Sequence, residues 1–167
     1  ITASYEFPKQ WTADLTEGAA VSARLAEWLA TQSPHNFVSA SLINNAGVMA
    51  CPLQYTAQGF EMQFGTNHLG HFLFTGLLAD ALIDGAPGRV VNLSSAGHRF
   101  ARFNFDDPSY QNRPYDKWQA YGESKTANIL FTVGLDLRTR ERGVRAFAVH
   151  PGVIMTNLGR SFPQWQQ

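Results

Sequence analysis

Arg89-Val90-Val91-Asn92-Leu93, running into Ser94-Ser95-Ala96-Gly97, is the stretch on which the fold turns. A short apolar run that stops in small hydroxyl residues and glycine reads as a buried strand ending in a bend. The turn cluster Gly85-Ala86-Pro87-Gly88 precedes it. The pattern recurs on both sides: residues 37–43 are apolar and end in Asn44-Asn45-Ala46-Gly47, and residues 144–149 are apolar and end in His150-Pro151-Gly152. Between these runs, residues 60–82 and 117–142 carry helical apolar spacing, the second stopping near Gly143. Upstream, Thr16 caps a helix with Val21, Leu25, Trp28 and Leu29 on one face, ending near Ser33-Pro34. Strands alternating with helices imply an α/β layer with a parallel sheet and right-handed crossovers. Ligands bind such sheets beyond the carboxyl ends of the strands, and short side chains there let a flat, extended ligand approach the backbone.

Composition narrows the function classes. The 167 residues are 44% hydrophobic and 16% charged, enough to bury a core as one domain and too apolar for intrinsic disorder. Lys+Arg and Asp+Glu both number 13, so no net charge draws the chain to nucleic acid or to an anionic membrane. Arg138, Arg140, Arg142 and Arg145 are interleaved with Asp136 and Glu141, the pattern of a solvated helix end. The single Cys51 excludes an internal disulfide framework and points to a reducing compartment, the cytoplasm. The longest apolar stretch, residues 69–83, is broken by Gly70, His71, Gly76 and Asp80 and falls short of the ~20 residues of a membrane span. Residues 1–10 lack a signal-peptide pattern.

Tyr121-Gly122-Glu123-Ser124-Lys125 puts a phenol and an ammonium four residues apart on one helix face. A free tyrosine ionises at about 10 and is a poor proton shuttle at neutral pH. A fixed cation beside it favours the phenolate, and lowering the value to about 7–8 takes roughly 3–4 kcal/mol of differential stabilisation. Such a tyrosine is a workable general acid and base. Taken alone the spacing is short and common, and a merely packed Tyr–Lys pair is its more ordinary meaning.

Context decides between them. Asn44-Asn45-Ala46-Gly47, Asn67 within Thr66-Asn67-His68-Leu69-Gly70-His71-Phe72, Ser94-Ser95, Tyr121/Lys125, and Pro151-Gly152 with Thr156 follow one another in that order. This series, from about Trp11 onward, resembles the short-chain dehydrogenase/reductase family, in its retinol-dehydrogenase-like branch. The resemblance implies a Rossmann-like, doubly wound parallel sheet and a nicotinamide cofactor, NAD or NADP. Tyr121 would exchange the proton with a small apolar alcohol or carbonyl substrate. Lys125 would lower the Tyr121 pKa and hold the cofactor ribose, and Ser95 would hydrogen-bond the substrate oxygen. Asn67 would hold a water linking Lys125 to solvent. Asn45, Ala46 and Gly47 would line the adenosine-ribose side, Asp14 would contact adenine, and Ile154 and Thr156 the nicotinamide carboxamide. Homodimers are expected through the Asn67 and Tyr121 helices, as relatives commonly pair there.

Other features stand outside this scheme. His68 and His71 are three apart without a partnering carboxylate or thiol, so no metal is expected. Asn92-Leu93-Ser94 is formally a glycosylation sequon, but lies at a buried strand end. Cys51 reads as a packing residue. Ser95 and Tyr121 are 26 positions apart, an interval rich in aromatics (Phe100, Phe103, Phe105, Tyr110, Tyr115, Trp118). These form either an apolar substrate wall or a loop packed on the flank.

The family's first strand, its Thr-Gly-x-x-x-Gly-x-Gly turn, whose backbone N–H groups meet the pyrophosphate, and its second strand find no match in the 167 residues. Nor does its last strand. The sheet is therefore expected to be incomplete at both ends, with residues 1–167 one partial domain of a longer protein and the strand at residues 37–43 open along one edge. Two functions follow: an NAD(P)-dependent oxidoreductase, or a truncated, catalytically silent module for binding or dimer formation.

Overall fold

The computed structural model describes residues 40–152 and Leu158. The expectations for Asp14, for the helix after Thr16, for residues 37–39 and for Ile154 and Thr156 lie outside the described residues. Three parallel strands lie in the order β1 (Ala40–Asn44), β2 (Gly88–Leu93) and β3 (Val144–Val149). Their register runs from Ala40↔Gly88↔Val144 to Asn44↔Asn92↔Ala148, so the three carboxyl ends emerge together. This is the Rossmann-like α/β arrangement, in part. Among the described residues β1 forms one edge of the sheet.

Parallel neighbours need long crossovers. The first contains α1 (Met62–Phe64), a π turn (Gly65–Leu69), α2 (Gly70–Leu77) and α3 (Ala79–Asp84). The second contains a 3-10 turn (Ala96–Arg99), a long loop, α4 (Lys117–Thr139) and a closing 3-10 turn (Arg140–Arg142). Along β2, Gly88, Val90 and Asn92 are buried and Arg89 is exposed, the alternation of a pleated strand. Val90 meets its register partners Leu42 and Ala146, and with Val144, Leu78 and Leu82 they make the core, flanked by Phe74, Ile83 and Leu135. On the opposite face Ile43, Phe147 and Val149 remain exposed.

The single helix expected over residues 60–82 is broken. Glu61 caps its start, the carboxylate accepting the Phe64 N–H at 2.8 Å. At Gly65 a Cβ would lie 2.6 Å from Thr56 Cγ2, so the chain passes close to its own loop there. The π turn then swings Asn67 inward, and a second break at Leu78 separates α2 from α3. Helix α4 starts as its sequence demands, with Asp116 accepting the N–H groups of Trp118 (3.0 Å) and Gln119 (2.7 Å). Its expected last turn tightens into the 3-10 turn, and Gly143 ends it in the left-handed region at φ 81°.

Candidate active site

The site is assembled at the carboxyl end of β2. Ser95 is extended, and its Oγ accepts the Gly97 N–H at 3.3 Å, starting the 3-10 turn. That turn lies against α4 with no room to spare: a Cβ on Gly122 would be 2.5 Å from Ala101 Cβ and 2.7 Å from the Gly97 carbonyl oxygen. Thr126 Oγ1 donates to the Ala101 carbonyl at 2.6 Å, fixing the approach. Tyr121, next to Gly122, is thereby brought to Ser95, whose side chain favours ionisation of its phenol. Tyr121 is 5% exposed and Lys125 4%. Lys125 Nζ donates to the Leu93 carbonyl at 3.1 Å and stands 5.6 Å from the centroid of the Tyr121 ring.

The electrostatics differ from expectation. Burial raises the Tyr121 phenol above its ordinary value, and Ser95 offsets only part of this. Lys125 contributes no resolved lowering; burial instead pulls its own ammonium down to about 8. The cation that should favour the phenolate is itself short of solvation, and its hydrogen bond goes to a backbone carbonyl. The protein alone therefore holds a neutral phenol beside the lysine rather than a preformed phenolate.

Asn67 is fully buried and clamps three segments. Its Oδ1 accepts the Val48 N–H (2.8 Å), and its Nδ2 donates to the Val48 carbonyl (3.0 Å) and to Ser124 Oγ (2.9 Å). Its side chain thus ties the end of β1 to α4, while its carbonyl accepts from Asn128 Nδ2 (3.0 Å) and faces His71 Nδ1 (2.9 Å). Asn45, Ala46 and Gly47 follow β1 directly, the first two exposed. A Cβ on Gly47 would lie 3.1 Å from Asn67 Oδ1, so this backbone is open only because the residue is glycine. The exposed Asn45–Ala46 backbone and Lys125 are suited to holding a ribose, which fits a nicotinamide cofactor at this end of the sheet.

Several site-supporting residues escaped sequence reasoning. Asn44 Nδ2 donates to Asn92 Oδ1 (2.7 Å) and Thr75 Oγ1 (2.9 Å), and Asn92 Nδ2 to Thr132 Oγ1 (2.9 Å). Asn128 Nδ2 donates to the carbonyls of Asn67 and Leu93, both at 3.0 Å. The available signal was periodicity: Asn92 stands two residues after the core residue Val90, at an inward position where a polar group demands partners.

The loop between Ser95 and α4 is a brace rather than a wall in most of its length. Arg113 donates to both carboxylate oxygens of the buried Glu123 (2.7 and 2.6 Å) and stacks 3.6 Å from the centroid of Tyr110. The Tyr115 hydroxyl lies between Glu61 Oε1 (3.1 Å) and the Cys51 carbonyl (3.0 Å) and accepts from Gln63 Nε2 (2.9 Å). Phe103 packs on Phe64 with centroids 5.1 Å apart. Phe100, Phe105 and Trp118 keep exposed surface. His68 and His71 are bonded to Asn128 and Asn67, and among the described residues no cluster of three or more His, Cys, Asp or Glu is placed to hold a metal. No described helix is long and apolar enough to cross a membrane.

The family profile described as short chain dehydrogenase matches residues 9–167. The chain is similar to human retinol dehydrogenase 13, with 55% identity over 119 residues that cover 71% of this chain and 36% of that protein. An uncharacterised protein from Mycobacterium Paratuberculosis, of known crystal structure, is 40% identical, with TM-score 0.67 over 86% of this chain and 50% of that one. A short-chain dehydrogenase from Sphingobium yanoikuyae, solved in complex with NADPH, shares the fold at 24% identity and TM-score 0.63, over 88% of this chain and 50% of that one. The chain thus spans between a third and a half of the length of these relatives. Sequence, sheet and site agree, and the chain belongs to the short-chain dehydrogenase family, with its likeness in the retinol-dehydrogenase branch.

Proposed function

We propose that the protein interconverts an apolar alcohol and its carbonyl with NAD or NADP, and that Tyr121 is the general acid and base. The observation that carries this is the buried Tyr121 phenol, set against the Ser95–Gly97 turn and one helical turn from Lys125, at the carboxyl end of β2. When bound, the nicotinamide supplies or accepts the hydride. Asn45, Ala46, Gly47 and Lys125 are the described residues that would hold the cofactor, with Asp14, Ile154 and Thr156 added by family resemblance. In reduction, Tyr121 gives its proton to the substrate oxygen while Ser95 donates a hydrogen bond to that oxygen, steadying its developing charge. In oxidation the same phenol oxygen takes the proton. Lys125, lowered to about 8, is still mostly protonated at neutral pH and able to replenish that proton. The relatives' names support an apolar substrate, and the NADPH-bound neighbour supports NADP as one cofactor. The lone Cys51 supports a reducing, cytoplasmic location.

The test is Tyr121→Phe, which keeps the ring and removes the exchangeable proton. With NADP⁺ or NAD⁺ and retinol as the apolar alcohol, turnover is expected to fall by about 10²–10⁴-fold with cofactor binding by fluorescence unchanged. Normal turnover would sink the assignment.

One observation favours a second reading, a binding or dimer-forming module without turnover. Phe72, Leu73 and Leu77 on α2 and Leu130, Val133 and Leu137 on α4 are all exposed, and the Phe72 and Phe131 rings lie 5.2 Å apart, joining the two helices into one ribbon. This supports pairing of two copies through the helices that carry Asn67 and Tyr121. Titrating the 167-residue chain with NADH and NADPH separates the readings: micromolar binding supports the enzyme, and none up to millimolar supports the module.

A further inference from the structure

We propose that Asn128 is a positioning residue for Lys125, its carboxamide holding in place both the carbonyl to which Lys125 donates and the carbonyl of Asn67. The inference rests on the oxidoreductase reading above. Asn128 lies one helical turn after Lys125 on the same face of α4 and is 1% exposed. A carboxamide nitrogen carries two hydrogens, and both are spent, on Leu93 O and Asn67 O at 3.0 Å each. The orientation of the amide is fixed by its surroundings, because the flipped form would set its oxygen against two carbonyl oxygens. Its Oδ1 therefore faces His68 Nδ1 at 3.1 Å, which requires the proton on that nitrogen. The Asn128 backbone carbonyl accepts from Thr132 Oγ1 at 2.7 Å, and Thr132 accepts in turn from Asn92.

A carbonyl oxygen has two lone pairs. At Leu93 one takes Asn128 and the other takes Lys125 Nζ, so the amide fixes which lone pair is left to the ammonium and hence where Nζ stands. No charged partner does this work: burial alone lowers Lys125. The titratable groups around it are Tyr121 on its own helix and His68 and His71 across the π turn and α2. Both histidines are held below their ordinary value by burial, so they present neutral rings at physiological pH. Lys125 is thus aimed by dipoles, and Asn128 is the side chain that sets them.

Two near-isosteric variants separate positioning from mere packing. Asn128→Leu removes both donors, while Asn128→Asp removes them and adds a carboxylate beside the lysine. The 167 residues hold three lysines, Lys9, Lys117 and Lys125, so ε-¹³C-lysine labelling of this chain gives few resonances, with Lys125 assigned by Lys125→Met. In Asn128→Leu the Lys125 titration midpoint is expected to move down and kcat to fall about 10- to 100-fold at near-constant cofactor KM. In Asn128→Asp the midpoint is expected to move up. A folded Asn128→Asp protein with an unmoved Lys125 midpoint and an unchanged kcat overturns the proposal, even where the Leu variant fails to fold. Variants that melt earlier but leave the Lys125 resonance and midpoint unmoved overturn it too, since packing alone predicts that outcome. An unsubstituted protein that does not turn over refutes the oxidoreductase reading alone, because the lysine titration needs no turnover.

Discussion

Helix α4 is held by two polar networks of opposite character. On its sheet side Asn44, Asn92, Thr132, Asn128 and Asn67 form a ladder of neutral groups reaching from β1 through β2 to the π turn. On its other side Arg113 grips Glu123 through two hydrogen bonds, Gln119 Nε2 adds a third at 3.0 Å, and Tyr110 stacks on the guanidinium. Glu123 is two residues from both Tyr121 and Lys125, which turns it about 200° away from each. The contrast has a chemical reason. A carboxylate beside Lys125 would pair with the ammonium and fix its charge, whereas amides and carbonyls hold it without neutralising it. The ion pair braces the helix from outside the site, and the amides shape the site from within.

The largest effect should come from the brace. Arg113→Ala leaves the Glu123 carboxylate, itself 3% exposed, without its charge partner, and losing one half of a buried pair costs about 3–5 kcal/mol. Urea unfolding would read this as a lower midpoint at constant slope. Replacing both partners with apolar residues, as Arg113→Met with Glu123→Leu, should recover most of the loss, since the penalty lies in the stranded charge. A double variant as unstable as the single one would break the distinction between the two networks, because the brace would then owe its strength to geometry, as the ladder does.

The ladder should respond less and elsewhere. Asn92→Leu takes from the Asn44 amide one of its two acceptors, leaving Thr75, and removes a donor from Thr132, at a cost of about 1–3 kcal/mol for the unsatisfied N–H. Because Thr132 bonds the Asn128 carbonyl, a drop in kcat is expected alongside, which Arg113→Ala at equal loss of stability should not match. Equal falls in kcat for equal losses of stability would mean that the two networks serve the site alike.

How much of this could be read from the chain follows from the range of each interaction. Strands β2 and β3 were legible because their apolar runs and terminal turns are local, and β3 falls on the residues expected. The start of α4 at Lys117 and its stop at Gly143 were legible for the same reason. The break around Asn67 was not, since it goes with the close passage of Gly65 against Thr56 and with bonds to Val48, and helical periodicity does not register either. Ser95, Tyr121 and Lys125 were found by motif and are brought together, but the sign of the Tyr121 shift was misjudged: spacing shows a cation one turn away and conceals the burial that outweighs it. Asn128 and Arg113 were invisible because their partners are remote in sequence, Asn67 and Leu93 for the one, a folded-back loop for the other.

Acid should distinguish the networks most finely. His71 donates Nδ1–H to the Asn67 carbonyl, and burial lowers it to about 4 from 6.5. The unfolded chain therefore takes up the proton first as pH falls. The stability His71 contributes is complete above about 6.5 and is lost toward 4, with a slope of at most about 1.4 kcal/mol per pH unit for one proton. His68, also lowered by burial, acts in the same direction. Glu61, on the side of the brace, has the opposite sign: burial raises its carboxyl, so its contribution is present in acid and is lost as pH rises through the raised value. Melting curves between pH 7 and 4 should therefore show a decline that His71→Gln flattens and Glu61→Gln steepens. An unchanged profile in His71→Gln would mean that this histidine takes up its proton in the fold as readily as in the unfolded chain, which would put a positive charge against the Asn67 carbonyl in mild acid and end the description of the ladder as neutral.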